Sequence, residues 1–274
     1  MNRREALLLL KKEFETLETA EIRHSLRAVL GISQAEIYLD PEKELTDAEE
    51  KQLQELICRR KQAEPLAYIL GEWDFMGLTL SVNKNVLIPR QDTETLAEDA
   101  IAYAKKTGAK NALDICTGSG CIALSLKAAL PNMEVTASDI SKEALAIAKE
   151  NAERNGLAVN FIESDLFDNI EGVFDIITAN PPYIAFEEYM DLQPEIIFYE
   201  PQLALVAEEN GLYFYRRIAE EAKKYLCGRI FLEVGFLQAE AVWEFLAENG
   251  YSEIYTIKDL GGIDRVVSGK YVNR

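Results

Sequence analysis

Asn180, Pro181, Pro182 and Tyr183 follow the apolar run FDIITA (174–179), a combination that a plain loop does not need. An Asn side chain presents one acceptor oxygen and two donor hydrogens. Proline keeps its carbonyl, lacks an N–H, and has a fixed φ that makes the acceptor direction predictable. The Asn180 side-chain oxygen and the Pro181 carbonyl can together hold both hydrogens of a planar NH2 group. Tyr183 can pack against that group or close its pocket. Such an arrangement suits N-methylation, because an amide or aromatic amine delocalises its lone pair and is a poor nucleophile. Holding both hydrogens aims the nitrogen and favours its pyramidal form; orientation supplies up to about 7–11 kcal/mol in well-aligned systems. The acceptors also stabilise positive charge growing on nitrogen. No strong general base is required, which suits a chain whose single histidine, His24, lies far upstream.

A second constellation sits earlier. The run NALDIC (111–116) leads through Asp114, Cys116 and Thr117 to Gly118, Ser119 and Gly120, and then directly into a helical pattern. Glycines let the backbone turn sharply beside a ligand, and a helix N-terminus offers N–H groups. Asp139, nineteen residues past Gly120, ends a second apolar run. A carboxylate there can accept both hydroxyls of a ribose. Asp165 closes a third run, where it could accept from an adenine amino group with Leu166 against the ring. This order suits an adenosine-bearing cofactor. GSGCIA also fits G-x-G-x-x-A, so a nicotinamide cofactor stays open. Each Asp alone could equally be a helix cap or a solvated loop end.

These groups must be positioned by something, and the rhythm of the chain says what. After a change of rhythm at 92–106, strands NALDIC, EVTASD (134–139), VNFIES (159–164), FDIITA and RIFLEV (229–234) alternate with helices at 121–130, 141–155, 211–226 and 238–249. That alternation predicts a parallel sheet covered on both faces. YSEIYTIKD and DRVVSGKYV, around Gly261 and Gly262, add a paired antiparallel end. Residues 1 to about 80 read as helical, with SQAE (33–36) and TDAE (46–49) fitting the capping-box pattern. LTLSV (78–82) and VLIP (86–89) around NKN predict a hairpin bridging the two parts.

Composition narrows the field. The 274 residues are 48% hydrophobic, enough for a real core, and carry a formal charge of -18 with a pI near 4.6. Strong generic binding to nucleic acid, which depends on neutralising phosphates, is disfavoured. Cys58, Cys116, Cys121 and Cys227 form no CxxC pair, so structural zinc is not expected, and no metal is expected in the site. Dispersed cysteines without a secretory leader predict a reducing cytoplasm. The leucine run near the start is too short and too charged to span a membrane.

Beyond these readings, the chain resembles the PrmC/HemK protein methyltransferases almost end to end. Besides DICTGSG and NPPYI, the match includes EPLAYILGEWDFMGL (64–78), VLIPRQDTETL (86–96), YEPQLAL (199–205) and GGIDRVVSGKY (261–271). The resemblance implies a helical N-terminal domain (1–75) that docks peptide chain release factors. A hairpin linker (76–90) and a Rossmann-like S-adenosylmethionine-dependent methyltransferase domain (91–274) would follow. It implies methylation at N5 of the glutamine in the release-factor GGQ motif, with S-adenosylhomocysteine as product. Asp114 and Cys116 to Gly120 would then line the methionine and ribose side, with Asn180 bordering the cofactor too. Asp139 would take the ribose, Asp165 and Leu166 the adenine, and Asn180 to Tyr183 the substrate glutamine. Two positions depart from the family pattern: Cys116 stands where glycine is common, and Gln91 where proline is. NPPY also occurs in adenine-N6 nucleic-acid methyltransferases, which is the enzymatic alternative. A nicotinamide dehydrogenase would leave NPPY unused. A non-catalytic S-adenosylmethionine-binding interaction protein is the alternative from a different class.

Overall fold

The computed structural model describes residues 1–13, 19–31 and 33–272. The chain divides into two compact units, Met1–Gly71 with Pro194–Tyr199, and Glu72–Gln193 with Glu200–Arg274.

The smaller unit is helical: α1 (Arg3–Glu13), α2 (Thr19–Leu30), α3 (Gln34–Leu39), α4 (Asp47–Lys61) and α5 (Leu66–Leu70). Both expected capping boxes form. Ser33 Oγ accepts from the Glu36 amide while the Glu36 carboxylate accepts from the Ser33 amide, and Thr46 and Glu49 do the same. Each satisfies amides that a helix start leaves unpaired, typically contributing ~1 kcal/mol. Those backbone bonds also hold the Glu36 and Glu49 carboxyls below their ordinary range. Leu7, Leu10, Leu26, Ile37, Leu53 and Leu56 meet in the unit's own core. Gly71, at φ 74°, ends α5.

The larger unit opens with a hairpin, β1 (Glu72–Phe75) and β2 (Leu78–Ser81), paired Glu72↔Ser81 through Phe75↔Leu78. This corrects the hairpin expected from 78–82 and 86–89: it lies one strand earlier, and residues 86–89 form no strand. Met76 and Gly77 turn with φ of 47° and 80°, and Phe75 and Leu80 anchor the ribbon in the core. Residues 86–89 bond elsewhere, the Val86 amide to Asn83 and the Ile88 amide to the Glu200 carboxylate, while Pro89 has no N–H to give.

Then the alternation begins: α6 (Asp92–Thr107), β3 (Asn111–Ile115), α7 (Cys121–Ala129), β4 (Glu134–Asp139), α8 (Lys142–Arg154), β5 (Asn160–Glu163) and β6 (Phe174–Ala179). After β6, α9 (Phe186–Tyr189) stays with this unit, whereas α10 (Pro194–Tyr199) belongs to the helical one. There Arg60 meets Glu195 at 2.7 Å and the Tyr199 hydroxyl donates to the Gln62 carbonyl at 3.0 Å. The chain closes with α11 (Tyr213–Glu221), β7 (Leu226–Glu233), α12 (Ala239–Glu248), β8 (Ser252–Lys258) and β9 (Asp264–Tyr271). The helix expected over 211–226 stops early because Leu226 already pairs with Phe174 in the sheet.

Among the described residues the main sheet has seven strands in the order β5-β4-β3-β6-β7-β9-β8. The first five are parallel, and β9 runs antiparallel between β7 and β8. Successive side chains of a strand point to opposite faces, so a strand buried on both sides reads as a continuous apolar run. Leu113, Ile177 and Ile230 join one core with Ile218 of α11 and Val242 of α12. Ala112, Ile176 and Phe231 join the other, under Leu96 of α6 and Ile122 of α7. From β3 the sheet grows through β4 to β5 on one side and through β6 to β7 on the other. That reversal opens a crevice at the carboxyl ends of β3 and β6, where open α/β sheets place their ligands.

Candidate active site

Because Ile115 pairs with Ala179, the loops leaving β3 and β6 emerge side by side. They line one cavity, together with Val86, Arg90, Thr93 and Asp139. Cys116, Thr117, Gly118 and Ser119 border it from the first loop, and Asn180 and Pro182 from the second. Asp165 and Leu166 complete that wall. The structure therefore brings together most of the residues singled out in the sequence. Asp114, Gly120, Pro181 and Tyr183 lie off the wall.

The first loop is shaped by left-handed backbone. Cys116, Gly118 and Gly120 have φ of 57°, 55° and 83°. The φ at Cys116 lies where glycine is favoured, which gives a physical meaning to the family's glycine there. A Cβ at Gly120 would stand 3.2 Å from Ala148 Cβ and 3.3 Å from Leu124 Cδ1, so close helix packing, like the φ, favours glycine at that position. Gln91, the other departure, is exposed with φ −62°, a value that proline also adopts.

Asp114 sits beneath this loop, fully buried. The hydroxyls of Thr117 and Thr178 donate to its two oxygens at 2.6 Å each. Burial nevertheless raises its carboxyl to about 6. Asp139 receives the Gly118 amide on Oδ2 and the Ser141 amide on Oδ1, both at 2.9 Å. Here too burial outweighs the backbone bonds and raises the carboxyl. A carboxylate has about four lone-pair sites, so even with the Ile140 amide also acting on it, Asp139 keeps capacity for at least one more donor. Asp165 shares Oδ1 with Arg217 of α11 at 3.0 Å, and Arg217 also bonds Glu221 at 2.8 Å.

At the other end, Asn180 Nδ2 donates to Thr93 Oγ1 at 3.4 Å. Glu233, the last residue of β7, is 2% exposed. Its carboxylate takes side-chain hydrogen bonds from Thr93 and Asn180, while burial pushes it up to about 7. Tyr183 is braced from behind: its amide donates to the Leu205 carbonyl at 3.1 Å, and its own carbonyl accepts Gln238 Nε2 at 2.8 Å. Arg90 forms an ion pair with the buried Glu200, whose second oxygen accepts the Ile88 amide at 3.4 Å.

Reasoning from individual residues missed Thr93, Arg217, Glu200 and Glu233. Thr93 and Glu200 do lie inside VLIPRQDTETL and YEPQLAL, the runs that carried the family resemblance. For Glu233 the available signal was a single acid after the apolar run Ile230 to Leu232 in RIFLEV. Among the described residues, no group of three or more potential metal ligands comes together, and no helix is long and apolar enough to cross a membrane.

Comparison with known proteins agrees with this picture. Residues 3–71 match the family description PrmC N-terminal domain, and residues 94–204 match Methyltransferase small domain. The chain is 47% identical over 229 residues to the Release factor glutamine methyltransferase of Lactococcus lactis, covering 82% of this chain and 84% of that one. It is 42% identical over 248 residues to the protein of the same name from Geobacter sulfurreducens, covering 89% and 87%. Among solved structures, a methyltransferase from Pyrococcus furiosus aligns with a TM-score of 0.53 at 22% identity, over 72% of this chain and 90% of that one; at that identity the likeness concerns the fold.

Proposed function

The chain belongs to the family of release factor glutamine methyltransferases and is an S-adenosylmethionine-dependent enzyme, and on that premise we propose which of its residues carry the reaction. The substrate in this proposal is a peptide chain release factor, modified at the side-chain amide nitrogen of its GGQ glutamine. One observation supports the assignment most strongly: Asn180 and Asp139 border the same cavity from the carboxyl ends of β6 and β4, the two strands that flank β3.

S-adenosylmethionine fits the groups on the wall. Asp139, already fixed by two backbone amides, keeps acceptor capacity for ribose hydroxyls. Ile140, Leu166 and Phe214 offer an apolar border for a flat base, with Asp165 beside them. The cofactor would supply a methyl group made electrophilic by its sulfonium, so the transfer itself needs neither a metal nor a strong base.

The protein's task is then to make a weak nucleophile attack. The Asn180 side-chain oxygen and the Pro181 carbonyl accept the two hydrogens of the glutamine NH2, which aligns the nitrogen and steadies its growing charge. Prolines at 181 and 182 hold those acceptors in place at small entropic cost, since their φ is already fixed. The helical unit grips the release factor. A cytoplasmic setting suits both this substrate and the free thiols of Cys58, Cys116, Cys121 and Cys227.

The test is to incubate purified unmodified release factor with the enzyme and S-adenosylmethionine, then locate any added methyl by peptide mass spectrometry. One methyl mass on the GGQ glutamine is the expected result. A methyl found only on nucleic acid would overturn the substrate assignment.

A further inference from the structure

Glu233 is expensive where it stands. A carboxylate 2% exposed at the end of a core strand forfeits hydration that a leucine there would not. It is also incompletely compensated, since Oε2 has no hydrogen-bond partner. The other interactions of this carboxyl converge on the reacting loop. Asn180 Nδ2 donates to Thr93 Oγ1, and both Thr93 and Asn180 donate to the Glu233 carboxylate. Thr93 is itself only 2% exposed, in the first turn of α6.

A hydroxyl has one hydrogen. Once Thr93 gives it to Glu233, Thr93 presents only lone pairs to its other neighbour. Asn180 then faces two acceptors, and only its NH2 end can satisfy them. Rotating the amide by half a turn would set its oxygen against both. We propose that Glu233, partly through Thr93, is a positioning residue that fixes the amide orientation of Asn180, leaving the Asn180 oxygen to receive the substrate NH2. This inference rests on the proposed role of Asn180 in holding the glutamine amide.

The device depends on charge. A neutral Glu233 carries an O–H that can donate, and the acceptor pair no longer discriminates between the two ends of the amide. Several groups face Glu233. Arg265 of β9 favours the ionised form and Asp92 of α6 opposes it, with Burial the largest influence. Tyr183, Tyr215 of α11 and Cys121 of α7 also feel its charge. The two phenols titrate above the ordinary phenol range and the thiol at about 12, so none of them changes charge near neutrality. With Glu233 at about 7, its ionised fraction falls about tenfold from pH 8 to pH 6, and the discriminating orientation falls with it.

Two measurements test this. In the cofactor-free protein, the side-chain amide resonance of Asn180, assigned by its loss in Asn180→Ser, should shift with a midpoint near pH 7. It should stay flat in Glu233→Gln. In turnover with release factor, kcat should fall about tenfold between pH 8 and pH 6. Glu233→Gln should lower kcat at pH 8 by at least about tenfold and lose that limb, with the KM for S-adenosylmethionine within about twofold. Thr93→Val should reproduce the loss of rate and Thr93→Ser should recover most of it, which keeps the test decisive should Glu233→Gln fail to fold. A Glu233→Gln enzyme with wild-type rate and an unchanged acid limb would overturn the inference, as would an Asn180 resonance that does not titrate in the wild type. Absence of any methyl on release factor from the wild-type enzyme would instead count against the role of Asn180, and the resonance titration would read the hydrogen-bond chain independently.

Discussion

The loops after β3 and β6 rest on the same device used to different ends. Each has a buried carboxylate reached through a threonine: Asp114 through Thr117 and Thr178, Glu233 through Thr93. Asp114 has a donor on each oxygen, whereas Glu233 leaves Oε2 unpaired. A buried acid with a donor on each oxygen ties down both of its threonines, whereas one with an unpaired oxygen is held less fully. The loop over Asp114 bends through left-handed residues, while the loop over Glu233 is stiffened by two prolines. One end of the cavity is thus built as a fixed seat and the other as an aimed group.

Four substitutions probe that contrast. Asn180→Ala should have the largest effect, removing the aimed acceptor and lowering kcat about 10²–10³-fold, as for the loss of a donor or acceptor matched to transition-state charge. Cofactor affinity by calorimetry should stay within about threefold; near-normal turnover would remove Asn180 from the mechanism. Asp139→Ala should do the reverse, weakening S-adenosylmethionine by roughly 2–3 kcal/mol through lost charged hydrogen bonds. Unchanged affinity would refute the ribose role. Asp114→Asn keeps the shape but strands one of two buried hydroxyl donors, costing about 1–2 kcal/mol, or some 2–8 °C in melting temperature. Its rate should keep the acid limb assigned to Glu233; if that limb moved instead, the two carboxylates would have exchanged roles. Cys116→Gly should have the smallest effect. It relieves left-handed backbone worth about 1–2 kcal/mol and returns part of that as unfolded-chain entropy, for a net gain below about 1 kcal/mol. A measured loss of stability would mean that the thiol packs better than its backbone strain costs.

Much of this was legible in the sequence because local signals agreed. FDIITA and RIFLEV are buried strands because apolar residues dominate both, and Ser33 and Thr46 start helices because a Glu stands three residues on. The glycine turn and NPPY could be placed at one sheet edge from strand alternation alone. What escaped was non-local. β1 reads as EWDF, an alternation only four residues long with Phe75 alone buried, so its pairing with β2 left little trace in the sequence. Asp165 looked available until α11 brought Arg217 to it from 52 residues away. Thr93, Asn180 and Glu233 come from three separate elements, and no window of sequence contains more than one of them. The departure at Cys116 could be seen but not understood until its φ was known.

The short helix Pro194–Tyr199 has a bearing on protein engineering. Because it folds with residues 1–71, the helical unit is encoded in two separate stretches of the gene. A chimera that exchanges only the first stretch between relatives would inherit an α4 from one parent and an α10 from the other. The Arg60–Glu195 pair and the Tyr199–Gln62 bond would then be a seam between strangers. Exchanging the helical unit of this enzyme therefore requires three crossovers, one near residue 72 and two flanking 194–199, so that both stretches travel together.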